Sequence, residues 1–114
     1  MDHPHTITDD CLALEGQLDG RRSAEVREAL YAHIDGHPEG DVVLDLSGVD
    51  SVDVTTMRLL AAAALKVERE GRRLVLRDCS APLRRAVAFT GWRRLFVIER
   101  TTRLPEQPGP PGPT

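Results

Sequence analysis

Residues 45–57 read DLSGVDSVDVTTM. The run leading into them, DVVLDL at 41–46, is rich in β-formers and apolar on both faces, as a central buried strand should be. Beyond them, Thr55 to Glu70 places Thr56, Leu60, Ala63, Ala64 and Val67 on one helical face, and Gly71 supplies a stop. The quoted stretch is therefore a strand that passes through a turn into a helix. Asp50 reads as the turn residue, and Asp53 or a neighbouring hydroxyl as the helix cap. That single unit decides the class of the fold.

The segments on either side repeat the alternation. CLALEGQLD at 11–19 sets Leu12, Leu14 and Leu18 around Gly16 and reads as a strand ending at an Asp19-Gly20 turn. SAEVREALYAHIDG at 23–36 has Val26, Leu30 and Ile34 on one face, with Ser23 as the expected N-cap and Gly36 as the stop. RRLVLRDC is a further strand, and SAPLRRAVAFTG a helix with Ser80 as N-cap, Pro82 in its first turn and Gly91 at its end. RLFVIER closes the order as a last strand. Strands joined by helices over short connections imply an α/β domain of about four strands and three helices.

The chain's 114 residues suit one domain and leave little room for a deep pocket. A formal net charge of −3 with interleaved arginine pairs argues against nucleic acid, which wants a basic face. The two cysteines, Cys11 and Cys79, have neither metal nor redox spacing and read as reduced, buried thiols. No signal-peptide pattern opens the chain, and its longest apolar run, Leu59 to Leu65, is far too short for a membrane span. A cytoplasmic protein is the expectation. Residues 1–8 read as a flexible arm, 9–100 as the domain, and the PEQPGPPGPT-bearing segment 101–114 as a disordered tail.

Catalytic signatures are missing: there is no phosphate-binding glycine loop, no dinucleotide fingerprint and no nucleophile elbow. His33 and His37 stand at helical i, i+4 spacing without a partner acid and read as surface residues, so no metal is expected. The acids are more informative. Asp19 and Asp53 each follow a strand, on the rim where open α/β folds keep their sites. Hydroxyls at a helix start also suit phosphorylation, since the amides and dipole there favour an anion.

With these residues in place, the sequence resembles the STAS domain of bacterial anti-sigma factor antagonists. EGQLD at 15–19 is similar to the family's GELD motif, with Gln17 in place of Glu. Residues 45–60 are similar to the strand, turn and helix start around its D-S-[ST]-G-L switch, and SAPLRRAVAFTGWRRLFVI at 80–98 to its closing helix and strand. The resemblance implies a mixed sheet with helices mainly on one face and a non-enzymatic role without cofactor. It implies binding to an anti-sigma factor, usually a GHKL-type serine/threonine kinase, with release of a sigma factor to regulate transcription.

Carried across residue by residue, the partner surface comprises Asp19, Asp53, Val54, Thr55, Thr56 and Arg58. The usual phosphoacceptor position holds Val54, which has no hydroxyl. Thr55 and Thr56 are then the alternative acceptors, unless the domain binds its kinase permanently or acts as a scaffold. The family's first edge strand has only MDHPHTI available and is expected to be truncated or missing, which would leave a monomer or a weak homodimer. An accessory STAS subunit of a lipid-transport ATPase or a stress-signalling complex is the competing role. Nucleotide binding is a third, disfavoured by the lack of a phosphate loop.

Overall fold

A computed structural model describes residues 5–8, by their backbone, and 11–100. The segment 101–114, expected as a tail, lies outside the described residues. Five strands form one sheet in sequential order: β1 (His5–Thr8), β2 (Cys11–Leu18), β3 (Val42–Val52), β4 (Leu74–Arg77) and β5 (Phe96–Glu99). The strands β2 to β5 are parallel and β1 is antiparallel to β2, so the sheet is mixed, as expected. It has one strand more than the four anticipated. The addition is the edge strand expected to be truncated or missing. It falls within the stretch read as a flexible arm, pairing His5 with Leu14 and Thr8 with Cys11.

Three helices connect the parallel strands: α1 (Ser23–Gly36), α2 (Val54–Arg69) and α3 (Ala81–Thr90). Because successive parallel strands are neighbours, right-handed crossovers carry all three helices to one face. Burial follows that rule. Leu12, Leu14, Leu44, Leu46, Leu74, Leu76 and Phe96 point into the core with Leu60, Ala63, Ala64 and Val67 of α2, while Ala13, Val43 and Asp45 on the other face are half-buried. Each buried leucine contributes roughly 2 kcal/mol of transfer free energy. The small Ala63 and Ala64 let α2 lie close to the sheet.

The caps are mostly where the sequence puts them. Ser80 Oγ accepts the Leu83 amide at 3.2 Å, with proline in the first turn of α3 and Gly91 in the left-handed region behind it at φ 82°. The first helix departs from expectation. A 3-10 turn, Gly20–Arg22, precedes it, and Ser23 is already helical, its hydroxyl donating back to the Gly20 carbonyl at 2.9 Å. The histidines also need correcting. His33 continues the stripe of Val26, Ala29, Leu30 and Ile34 and is buried, with the His37 ring 4.6 Å away. Among the described residues no three His, Cys, Asp or Glu could hold a metal.

The largest difference lies in the opening stretch itself. Ser47 to Asp50, expected to be a turn, continues β3. There the strand pairs with β2 through Glu15–Gly48, Gly16–Val49, Gln17–Ser51 and Leu18–Val52, with two register shifts that accommodate the polar residues. Asp45 Oδ1 accepts the Ser47 amide at 2.9 Å where the first irregularity begins. Gly16 sits at φ 81°, and an added Cβ would come 3.2 Å from the Arg22 guanidinium, which donates to the Glu15 and Gln17 carbonyls on either side. Among the described residues, β1 and β4 pair only with the proximal halves of β2 and β3, so residues 15–18 and 48–52 form a two-stranded extension past the rest of the sheet.

Candidate partner-binding rim

The extension ends in two chain reversals that are tied together. At the end of β2, Asp19 is extended and its Oδ1 accepts the Arg21 amide at 3.0 Å, capping the 3-10 turn, while Oδ2 lies 3.5 Å from the Arg21 guanidinium. At the end of β3, the Asp53 amide donates to the Leu18 carbonyl at 3.0 Å. Its carboxylate then splits: Oδ1 accepts the Thr56 amide at 2.9 Å as the N-cap of α2, and Oδ2 accepts the Gly20 amide at 2.8 Å. Asp19 and Asp53 therefore share one rim, as the sequence predicts. The amides of Thr56, foremost, and of Gly20 hold the Asp53 carboxyl below the ordinary carboxylate value of 3.8, against a smaller opposing push from desolvation.

What Asp53 offers to a partner is limited by this. Both oxygens are engaged inside the chain, so the acid positions the rim. The residues it positions divide by helical geometry. Val54, in the first turn, is 62 % exposed despite being apolar. Thr55 and Arg58 are exposed beside it. Thr56 turns inward and is fully buried, which removes it from the expected contact surface and from the candidate phosphate acceptors. The exposed residues at the start of α2 are therefore Val54, Thr55 and Arg58.

Two grooves flank this turn. On the α1 side, Ser23, Arg27, Tyr31, Thr55, Leu59 and Ala62 line a depression of mixed polarity. On the α3 side, Val52, Val54, Met57, Ala86, Phe89 and Trp92 line an apolar groove of about 510 Å³. Arg58 borders both. Phe89 and Trp92 are absent from the set of residues expected at the site. A signal for Phe89 is nonetheless present in the sequence: it sits two residues past Val87, off the Leu83–Val87 stripe that α3 buries, and is 87 % exposed.

Comparison with known proteins agrees with this fold. The family model described as Mlab, STAS domain matches residues 4–99. The chain belongs to the STAS domain family. Among solved structures, it is similar to the crystal structure of TM1081 from Thermotoga maritima, proposed to be an anti-sigma factor antagonist. That match has 17% sequence identity and a TM-score of 0.68, and covers 87% of this chain and 86% of that one. The solution NMR structure of TM1081 gives 17% identity, a TM-score of 0.67 and coverage of 89% and 82%. A serine-to-glutamate variant of RsbS from Moorella thermoacetica gives 19% identity, a TM-score of 0.60 and coverage of 90% and 89%. At these identities the likeness is one of fold. A search of curated proteins returned no match.

Proposed function

We infer that this chain is a protein-binding module of the anti-sigma factor antagonist type, one that docks through the rim at the start of α2 and carries out no catalysis itself. The observation that carries the reading is the pairing of an exposed Val54–Thr55 turn with an Asp53 clamp that holds it at the outer end of the sheet. An exposed apolar residue at a helix start is a docking feature, and the solved structures similar to this fold include a proposed anti-sigma factor antagonist. The partner is an anti-sigma factor of the GHKL kinase type, whose capture frees a sigma factor in the cytoplasm. No helix among the described residues is long and apolar enough to cross a membrane.

Val54 occupies the position where the family carries its phosphate, so the switch does not run on that residue. Thr55 is the exposed hydroxyl left at the helix start, and the chain's control is either weak modification there or abundance. The test is calorimetry with the GHKL-type anti-sigma factors of the source organism. A complex with one of them is expected, weakened at least about tenfold by Val54→Asp, which desolvates a charge at the contact. Binding unchanged by that variant would reject the surface, and the absence of any complex would reject the partner class.

The accessory-subunit reading draws its support from the family model, whose description carries the name Mlab. Stable co-purification with a transport ATPase, in place of an anti-sigma factor, would select it.

A further inference from the structure

Among the described residues, three large apolar side chains are exposed, and two of them, Val54 and Phe89, line the same groove. Scattered surface hydrophobes need no explanation, but two from different helices facing one concavity do. The groove floor is continuous with the core through Met57, which is almost fully buried. Its rim is cationic. Arg58 borders it, Arg85 lies one turn before Phe89 on the same face of α3, and Arg93 follows Trp92, all three exposed. No carboxylate among the described residues pairs with any of the three. The acid that lines the groove, Asp53, is engaged by two backbone amides.

We propose that the α2–α3 groove takes an amphipathic helix of a protein partner, with one or two large apolar side chains seated between Val54 and Phe89 and acidic residues facing Arg58, Arg85 and Arg93. Charge complementarity fixes the sign of the occupant: an apolar floor bordered by Arg58, with Arg85 and Arg93 close by in the chain and no carboxylate partner for any of them among the described residues, attracts carboxylates and repels a basic helix. The concavity favours a side-chain anchor over a lipid surface, which would be met by a protruding apolar edge. The proposal extends the docking reading by adding a second element, α3, and a chemical class of ligand.

Trp92 is the only tryptophan in the chain and lines the groove, so its emission reports occupancy directly. The probe is a synthetic helix of about 18 residues, tryptophan-free, with Leu and Phe on one face and Glu on the other. A counterpart with Lys in place of Glu keeps the same apolar face. Saturable change in Trp92 emission with the acidic peptide is expected, weakening as salt rises. The Phe89→Asp variant should lose at least about tenfold in affinity, and the pair Arg85→Glu and Arg93→Glu about fivefold together with most of the salt dependence. Since Phe89 is 87 % exposed, Phe89→Asp should keep its thermal midpoint, checked by circular dichroism.

Equal binding of the Lys peptide, no saturable response, or indifference to Phe89→Asp would overturn the proposal. So would a Trp92 response to anionic phosphatidylglycerol vesicles that exceeds the response to the peptide. No anti-sigma factor enters this titration, so its failure leaves the proposed partner class standing, and the loss of that partner class leaves this result standing.

Discussion

Asp53 Oδ2 accepts the Gly20 amide at 2.8 Å, so the residue that caps α2 also holds the loop leading to α1. The two reversals at the end of the extension move as one body because a single carboxylate bonds to both. Asp53 thus fixes where Val54 and Thr55 stand.

Asp53→Ala should lower the urea midpoint of the domain, through the lost cap and the unpaired Gly20 amide. Asp53→Asn, which keeps one acceptor, should lower it less. Asp19→Ala, which frees only the short 3-10 turn, should also lower it less than Asp53→Ala. A larger effect at Asp19 would show that the rim is held from the other side.

The same carboxylate makes the rim acid-sensitive. Its folded pKa lies below the ordinary 3.8, so the stabilisation it gives is complete above that value and is lost as pH falls through the lower folded value. Amide exchange or NMR shifts of Gly20 and Thr56 should titrate together below pH 3.8, with the same midpoint as the Asp53 carboxyl carbon. Separate midpoints would mean that the carboxylate does not bridge the two amides.

Incubation with a cognate kinase and ATP should leave Thr56 unmodified, because its side chain is wholly buried, and should add little phosphate to Thr55. Val54→Ser should restore stoichiometric modification at position 54, since the exposed turn and its electropositive helix end are intact. Phosphate mapped by mass spectrometry to Thr55 in the unaltered chain, at full occupancy, would reassign the switch.

Cys79 is 6 % exposed, and burial pushes its thiol up to about 11, against a smaller lowering by Arg84. A disulfide reagent at pH 8 should label it only at the rate of unfolding, and denaturant should raise that rate steeply. Rapid labelling in the native state would place the thiol at the surface.

The elements that local chemistry specifies were legible. The α2 stripe, the Ser80 and Gly91 ends of α3, and the rim shared by Asp19 and Asp53 all follow from side chains acting on their own neighbourhood. The second half of β3 was not. Ser47, Gly48 and Asp50 are turn formers, and what keeps their segment in the strand is the pairing of Gly48, Val49, Ser51 and Val52 with Glu15 to Leu18, more than thirty residues away. β1 escaped for a related reason: four residues carry too little pattern to stand out, and their order comes from the partner strand. Burial of His33 likewise reflects what packs against its helix, whereas Thr56 already stood on the α2 stripe. The groove half of the site depends on α3 approaching α2, a tertiary fact that Phe89 hints at only by its misplaced hydrophobicity.

The uneven strand lengths have a mechanical consequence. Among the described residues, where 15–18 meet 48–52 each strand has a neighbour on one side only, so the ribbon that carries the start of α2 is less braced than the broader base of the sheet. Load applied at Val54 would be felt first where Gly16 pairs with Val49, and the base would register it last.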